Sequence, residues 1–200
     1  MVTVNPLILA ASLVLVSNII SAQRVAPCSP TTSTHQRWTM KTRPRPATVD
    51  PAALTALSPQ DLVTWSVPKG KQLDNTPIDP RENQILVMTG WVRLVKISPD
   101  DCDIHIQLGG FPDKHVPQVI AEIPQSDSSA RQALAQKLGV DIPTPGHTLY
   151  FDGPKAVKVT LTGWAFDDSS HWASAHPKSG NQHGSGVGTL WEIHPVWDVR

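Results

Sequence analysis

The sequence has no excess charge of either sign: 17 basic side chains are balanced by 17 acidic ones. That balance removes any overall electrostatic pull toward nucleic acid or an anionic membrane. Arg93, Lys96, Lys155 and Lys158 stand scattered among acids, so a nucleic-acid partner lacks the basic groove that it needs. Zinc spacings of the H-x-x-x-H or C-x-x-C kind are missing. Cysteine occurs only as Cys28 and Cys102. Helix-favouring composition is thin, whereas 19 prolines and seven tryptophans are many for this length. Two hundred residues of this kind suit one β-rich, loop-rich domain with an accessory segment.

Leu7 to Val16 is an apolar run of signal-peptide length, and Ile20-Ser21-Ala22 offers a small-residue cleavage site. The preceding residues hold no Lys or Arg. The run is too short to span a bilayer comfortably, so residues 1–22 are predicted to be a signal peptide, with no membrane span after its cleavage. The expected compartment is secreted or periplasmic. In an oxidising compartment a disulfide between Cys28 and Cys102 is the default. Two unpaired thiols, or a Cys102 packed as a small apolar residue, are the alternatives.

Residues 23–83 are rich in Pro, Thr and Ser and read as an extended arm with helical turns at Asp50-Pro51 and Ser58-Pro59. Trp38 and Trp65 give the arm something to bury against the barrel. From residue 84 the hydrophobic period becomes two. Strands are predicted over Ile85 to Ile97, Cys102 to Leu108, Gln118 to Ile123, Ala156 to Phe166 and Thr189 to Val199. A helix capped by Ser126 or Ser128 and ended by Gly139 lies between the third and fourth, its apolar stripe made by Ala130, Ala133, Leu134 and Leu138. The order β-β-β-α-β-β predicts an all-β domain with one helix, a five-stranded OB-fold-like Greek-key barrel over residues 84–200.

Thr89-Gly90-Trp91-Val92 and Thr162-Gly163-Trp164-Ala165 resemble the pieces that open the first and fourth strands of many OB-fold proteins. Asp101-Cys102-Asp103-Ile104-His105, Ala121-Glu122-Ile123-Pro124 and Trp191-Glu192-Ile193-His194-Pro195-Val196, with Phe166-Asp167 and His171, resemble the recurring blocks of a group of exported bacterial proteins of uncharacterised function. The first block in that group usually reads D-G-D-Y-H, from which Cys102 and Ile104 depart. The resemblance implies compartment and fold and carries no activity.

Alternation puts Asp103 and His105 on one face of their strand, and Glu192 and His194 on one face of theirs; Glu122 lies on the strand between. These residues are candidates for binding a ligand or a divalent metal, Zn²⁺ or Ca²⁺, or for acid–base catalysis. Solvated side chains on a half-exposed sheet are the simpler reading of each one. Residues 167–188 form a Gly-, Ser- and His-rich loop in which Trp172, His171, His176 and His183 are further candidates. The expected function is an exported OB-fold-like binding module for a small-molecule, oligosaccharide or protein ligand. Its site is expected on the side of the second strand, the fifth strand and the long loop. The alternatives are a metal-dependent hydrolase of the nuclease or phosphodiesterase kind, and a structural partner in an envelope assembly. Asp100, Asp101 and Asp103 are similar to the acid cluster of staphylococcal-type nucleases, but the paired arginines of such a site are missing.

Overall fold

The structure is a computed structural model that describes residues 28, 37–66, 77, 79–112, 116–169 and 186–200. The predicted signal peptide, and His171, Trp172, His176 and His183, lie outside the described residues.

Five strands close into a barrel: β2 (Ile85–Ile97), β3 (Ile104–Gly109), β4 (Gln118–Ile123), β6 (Val157–Asp167) and β7 (Val187–Val199). Two shorter strands, β1 (Leu54–Leu57) and β5 (Thr148–Tyr150), attach to β2. The barrel order is β2-β3-β4-β7-β6, with β6 returning to β2. Every pairing within it is antiparallel except β4 with β7. This is the OB-fold-like Greek key expected from the element order.

Closure depends on the length of β2. Its first eight residues pair with β6, from Ile85 against Trp164 to Val92 against Val157. Its last part pairs with β3, and a bulge between Val92 and Leu94 turns the strand from one partner to the other. Gly163 permits the matching closeness on β6. A Cβ there would lie 2.5 Å from both Ile193 Cγ2 and the Pro195 carbonyl oxygen, so any side chain would push β6 off β7.

The inward residues form one apolar core. Leu86, Met88, Val92, Ile104, Ile106, Leu108, Val119, Ala121, Leu161, Ala165, Trp191 and Ile193 are all essentially without solvent contact. Helix α3 (Ser128–Leu138) packs against β6 and β7 through Ala130, Leu134 and Leu138. Its cap is Asp127, not Ser126 or Ser128: the Asp127 carboxylate accepts the Ala130 N–H at 2.9 Å and the Ser129 hydroxyl at 2.7 Å. Gly139 ends the helix with φ +66°, a left-handed conformation that glycine adopts without steric cost.

The second strand starts at Ile104, two residues later than expected. Cys102 has φ +65°, which takes it out of any strand, and the Asp103 carbonyl accepts the Ser98 N–H to close the turn. Cys28 and Cys102 are joined by a disulfide.

The arm is built into the barrel. Strand β1 runs parallel to the first half of β2, in line with β3 along the same edge. Helix α2 (Pro59–Val63) follows, opened by a capping box between Ser58 and Asp61. It places Leu62 wholly in the core and lets Trp65 meet Trp191 edge to face at 5.2 Å. Its seat is a place where the barrel carries no side chain. A Cβ on Gly188 would lie 3.0 Å from Val63, and one on Gly90 would lie 3.1 Å from Pro59. Upstream, the short helix α1 (Trp38–Lys41) packs against β7, one of the strands that carry the polar residues considered next.

A buried carboxylate–histidine cluster beneath the arm

Because Ile104, Ile106, Val119, Ala121, Trp191 and Ile193 point inward, the alternate residues of β3, β4 and β7 point outward. Ordinarily such positions are solvated. Here they are buried: His194 is 0% exposed, Glu192 2%, Asp103 3%, His105 6% and Glu122 7%. The cover is made by Arg37 and Lys41 of the arm and by the ring of Phe166 on β6. Arg37 and Lys41 approach the Phe166 ring at 5.0 and 5.7 Å, and the same ring meets His194 edge to face at 5.4 Å.

Strand register brings the polar groups together. His105 and Glu122 are direct cross-strand partners, and Ile120 opposite Glu192 sets β7 beside β4. His105 Nδ1 lies 2.9 Å from Glu122 Oε1. The His194 ring stands between two carboxylates, with Nε2 3.2 Å from Asp103 Oδ2 and Nδ1 3.0 Å from Glu122 Oε2. Glu192 Oε2 is 3.8 Å from the same Nδ1. The other Asp103 oxygen accepts the Gln125 N–H at 3.1 Å, which fixes that carboxylate in place. Lys41 completes the group, its Nζ 3.8 Å from Asp101.

The close approaches to His194 are electrostatic rather than directional. Neither ring nitrogen has an aligned hydrogen-bond partner among the described residues, and His105 Nε2 is likewise buried without one. Burial alone would make His194 less basic, but the carboxylates of Asp103, Glu122 and Glu192 outweigh it and hold the imidazolium well above the usual histidine range. Burial likewise opposes ionisation of Glu122. Contacts with His105 and His194, and the charge of Lys41, nevertheless keep it well below the usual carboxylate range. Asp103 goes the other way: burial raises it, the charges of Glu122 and Asp101 add to that, and His194 only partly compensates. Lys41 is raised despite its burial, by Glu122, Asp168, Glu192 and Asp101. Two carboxylates of neighbouring position thus differ in proton affinity because Glu122 has two imidazoles and Lys41 beside it, whereas Asp103 has one imidazole and two acidic neighbours.

Chemically, the cluster offers mixed oxygen and nitrogen donors on β3, β4, β7 and the turn that leads into β3. Ligand atoms of Asp103, Glu122 and His194 all lie within 4.8 Å of one another, a triad that could hold a metal ion.

No family model, curated protein or solved structure matches the chain. What can be said of the cluster therefore comes from its own geometry. Five of the residues expected from alternation, Asp103, His105, Glu122, Glu192 and His194, come together in it. Lys41 and Phe166 were not expected there. Lys41 sits in a stretch with no hydrophobic period, and its approach to the cluster is set by the path of the arm. Phe166 read as one more strand residue, with nothing local to mark it as the lining of a polar site.

A second buried ion pair anchors the arm beside the cluster. Arg37 reaches both Glu82 oxygens, at 2.8 and 2.9 Å, and donates to the Asp167 carbonyl at 2.6 Å. Both side chains of the pair are fully buried. Bidentate geometry is what makes a pair at that depth tolerable.

Proposed function

We propose that this chain is an exported, non-catalytic binding module whose barrel holds a divalent ion of the Zn²⁺ class between Asp103, Glu122 and His194. The observation that supports it is a mixed carboxylate–imidazole donor set with histidine ring nitrogens that are buried yet bonded to nothing well aligned. Two carboxylates and an imidazole suit Zn²⁺. Ca²⁺ prefers six to eight oxygen ligands, and this site offers too few. Two carboxylate charges balance such an ion, and His194 binds it as neutral imidazole, its proton released on binding.

Burial is what favours binding over turnover. A catalytic zinc keeps an open coordination position for water or substrate, whereas every donor here lies beneath the arm. The Cys28–Cys102 disulfide supports the exported assignment, secreted or periplasmic.

The test is the metal content of the full oxidised chain after separate incubation with Zn²⁺, Ca²⁺ and Mn²⁺ and gel filtration. About one Zn²⁺ per chain is expected, lost in Asp103→Asn and in His194→Ala, with Ca²⁺ not retained. Retention of no Zn²⁺, or equal retention by both variants, defeats the metal reading. Phosphodiester hydrolysis that appears with Zn²⁺ defeats the non-catalytic one.

A further inference from the structure

The metal reading leaves one buried imidazole without a task. His105 stands on β3 beside the proposed ligands, yet it is not among the three groups whose ligand atoms lie within 4.8 Å of one another. It is 6% exposed. Its Nδ1 lies 2.9 Å from Glu122 Oε1, and its Nε2 is buried with no hydrogen-bond partner among the described residues.

Strand register decides what His105 can bond to. Its direct cross-strand partners are Glu122 on β4 and Lys96 on β2. An ammonium group only donates, so Glu122 is the acceptor that these two neighbours offer. Although burial opposes it, the contacts with His105 and His194 keep Glu122 ionised. Facing an ionised carboxylate, Nδ1 is the nitrogen that carries the hydrogen.

The two oxygens of Glu122 are therefore divided. Oε1 accepts from His105, and Oε2 lies 3.0 Å from His194 Nδ1. Asp103 is divided in the same way: Oδ1 accepts the Gln125 N–H at 3.1 Å, and Oδ2 lies 3.2 Å from His194 Nε2. Each carboxylate has one oxygen toward the His194 ring and one held by the protein. A bidentate grip on an ion needs both. Turning Glu122 to give both would take Oε1 from His105 and leave that ring buried with no hydrogen bond among the described residues.

Cations differ in how much this matters to them. Zn²⁺ is satisfied by four donors of mixed nitrogen and oxygen type. Ca²⁺ fills six to eight oxygen positions, with bidentate carboxylates among them, and Mn²⁺ favours an octahedral oxygen set. We infer that His105 is a positioning residue that sets the metal selectivity of this site, holding Glu122 to one oxygen and so favouring Zn²⁺ over cations that need more oxygen ligands. The inference rests on the metal reading above and adds to it the residue that enforces the choice of ion. His105 acts through Glu122 and is not itself a ligand.

Equilibrium dialysis of the full oxidised chain against Zn²⁺ and, separately, Mn²⁺ tests this in the parent, His105→Leu and His105→Asn. Leucine removes the donor, whereas the asparagine amide places an N–H where Nδ1–H stood. His105→Leu is expected to lower the ratio of Zn²⁺ to Mn²⁺ affinity about tenfold, and His105→Asn to restore it. A merely structural role would weaken both ions alike and leave the ratio unchanged. A second measurement needs no variant: nitrogen-edited NMR of the parent's histidine side chains is expected to show the His105 Nδ1–H retained when Zn²⁺ saturates the site. An unchanged ratio in His105→Leu, or loss of that Nδ1–H on loading, overturns the proposal and leaves the metal reading standing. A parent chain that retains no Zn²⁺ overturns both.

Discussion

The inner and outer faces of β3, β4 and β7 are buried to nearly the same degree, yet by opposite means. Inward, Ile104, Ile106, Val119, Ala121, Trp191 and Ile193 exclude water because nothing on them needs it. Outward, Asp103, His105, Glu122, Glu192 and His194 exclude water because the arm lies over them and charges answer one another. The inner face depends on volume and tolerates small changes of shape. The outer face depends on charge complementarity, where the loss of one partner leaves another stranded in low dielectric. A strand can therefore alternate strictly between apolar and polar and still be buried on both sides, if a second segment of the chain supplies the cover.

The largest test of that difference is Arg37→Met. The side chain keeps its bulk but leaves Glu82 buried without its bidentate partner, and a loss of about 3–5 kcal/mol in urea unfolding is expected. The double variant Arg37→Met with Glu82→Leu is expected to recover most of it. A double variant no more stable than the single one would mean that the loss comes from the bonds of Arg37 and Glu82 to the Asp167 backbone rather than from a stranded Glu82 charge.

Next in size is a pH effect. Burial raises Asp167 from the ordinary 3.8 to about 6, with the charge of Glu82 adding and Ser169 and Arg37 opposing. A carboxyl group raised in the folded state contributes stability below pH 3.8 that disappears as pH climbs through about 6. Asp167→Asn is expected to match the parent at pH 3.5 and to exceed it by about 2 kcal/mol at pH 8, as judged from urea midpoints at the two values. Equal midpoints at pH 8 would show that Asp167 is better solvated than its surroundings imply.

The smallest effect belongs to the inner face. Ile106→Val removes one methylene from the core and is expected to lower stability by about 1 kcal/mol, with no change between pH 5 and 8. A pH-dependent loss would show that the two faces are coupled.

How much of this could be read from the sequence follows the range of the interactions. Strands β2 and β4 have the expected bounds because their patterning is local and their stops, the Ser98-Pro99 turn and Pro124, are adjacent. The α3 stripe was legible for the same reason. Its cap was not, since Asp127 sits between two serines that satisfy the same rule and only geometry chooses. The late start of β3 at Ile104 comes from the left-handed Cys102, a backbone conformation that no side-chain pattern reports. Strand β1 has four residues and pairs with a strand far along the chain, so Leu54 to Leu57 carried no signal of its own. In the cluster, the carboxylates and imidazoles were visible as alternating positions. Their burial was not, because it depends on Arg37 and Lys41, which reach the site by tertiary path alone.

Strand β2 has one more consequence, in time rather than in space. It pairs with β1, β3, β5 and β6, so four segments of the chain use it as their template. Its hairpin with β3 closes a short loop and can form early, but Ile85 must also find Trp164, and Leu54 must find Ile85, across long intervening stretches. Contacts of that separation set the pace of folding, about milliseconds to seconds for barrels of this kind. Until β6 arrives, the first half of β2 presents an unpaired apolar edge, ILVM, to every other chain in the compartment. The interval before closure is when this protein is most exposed to aggregation.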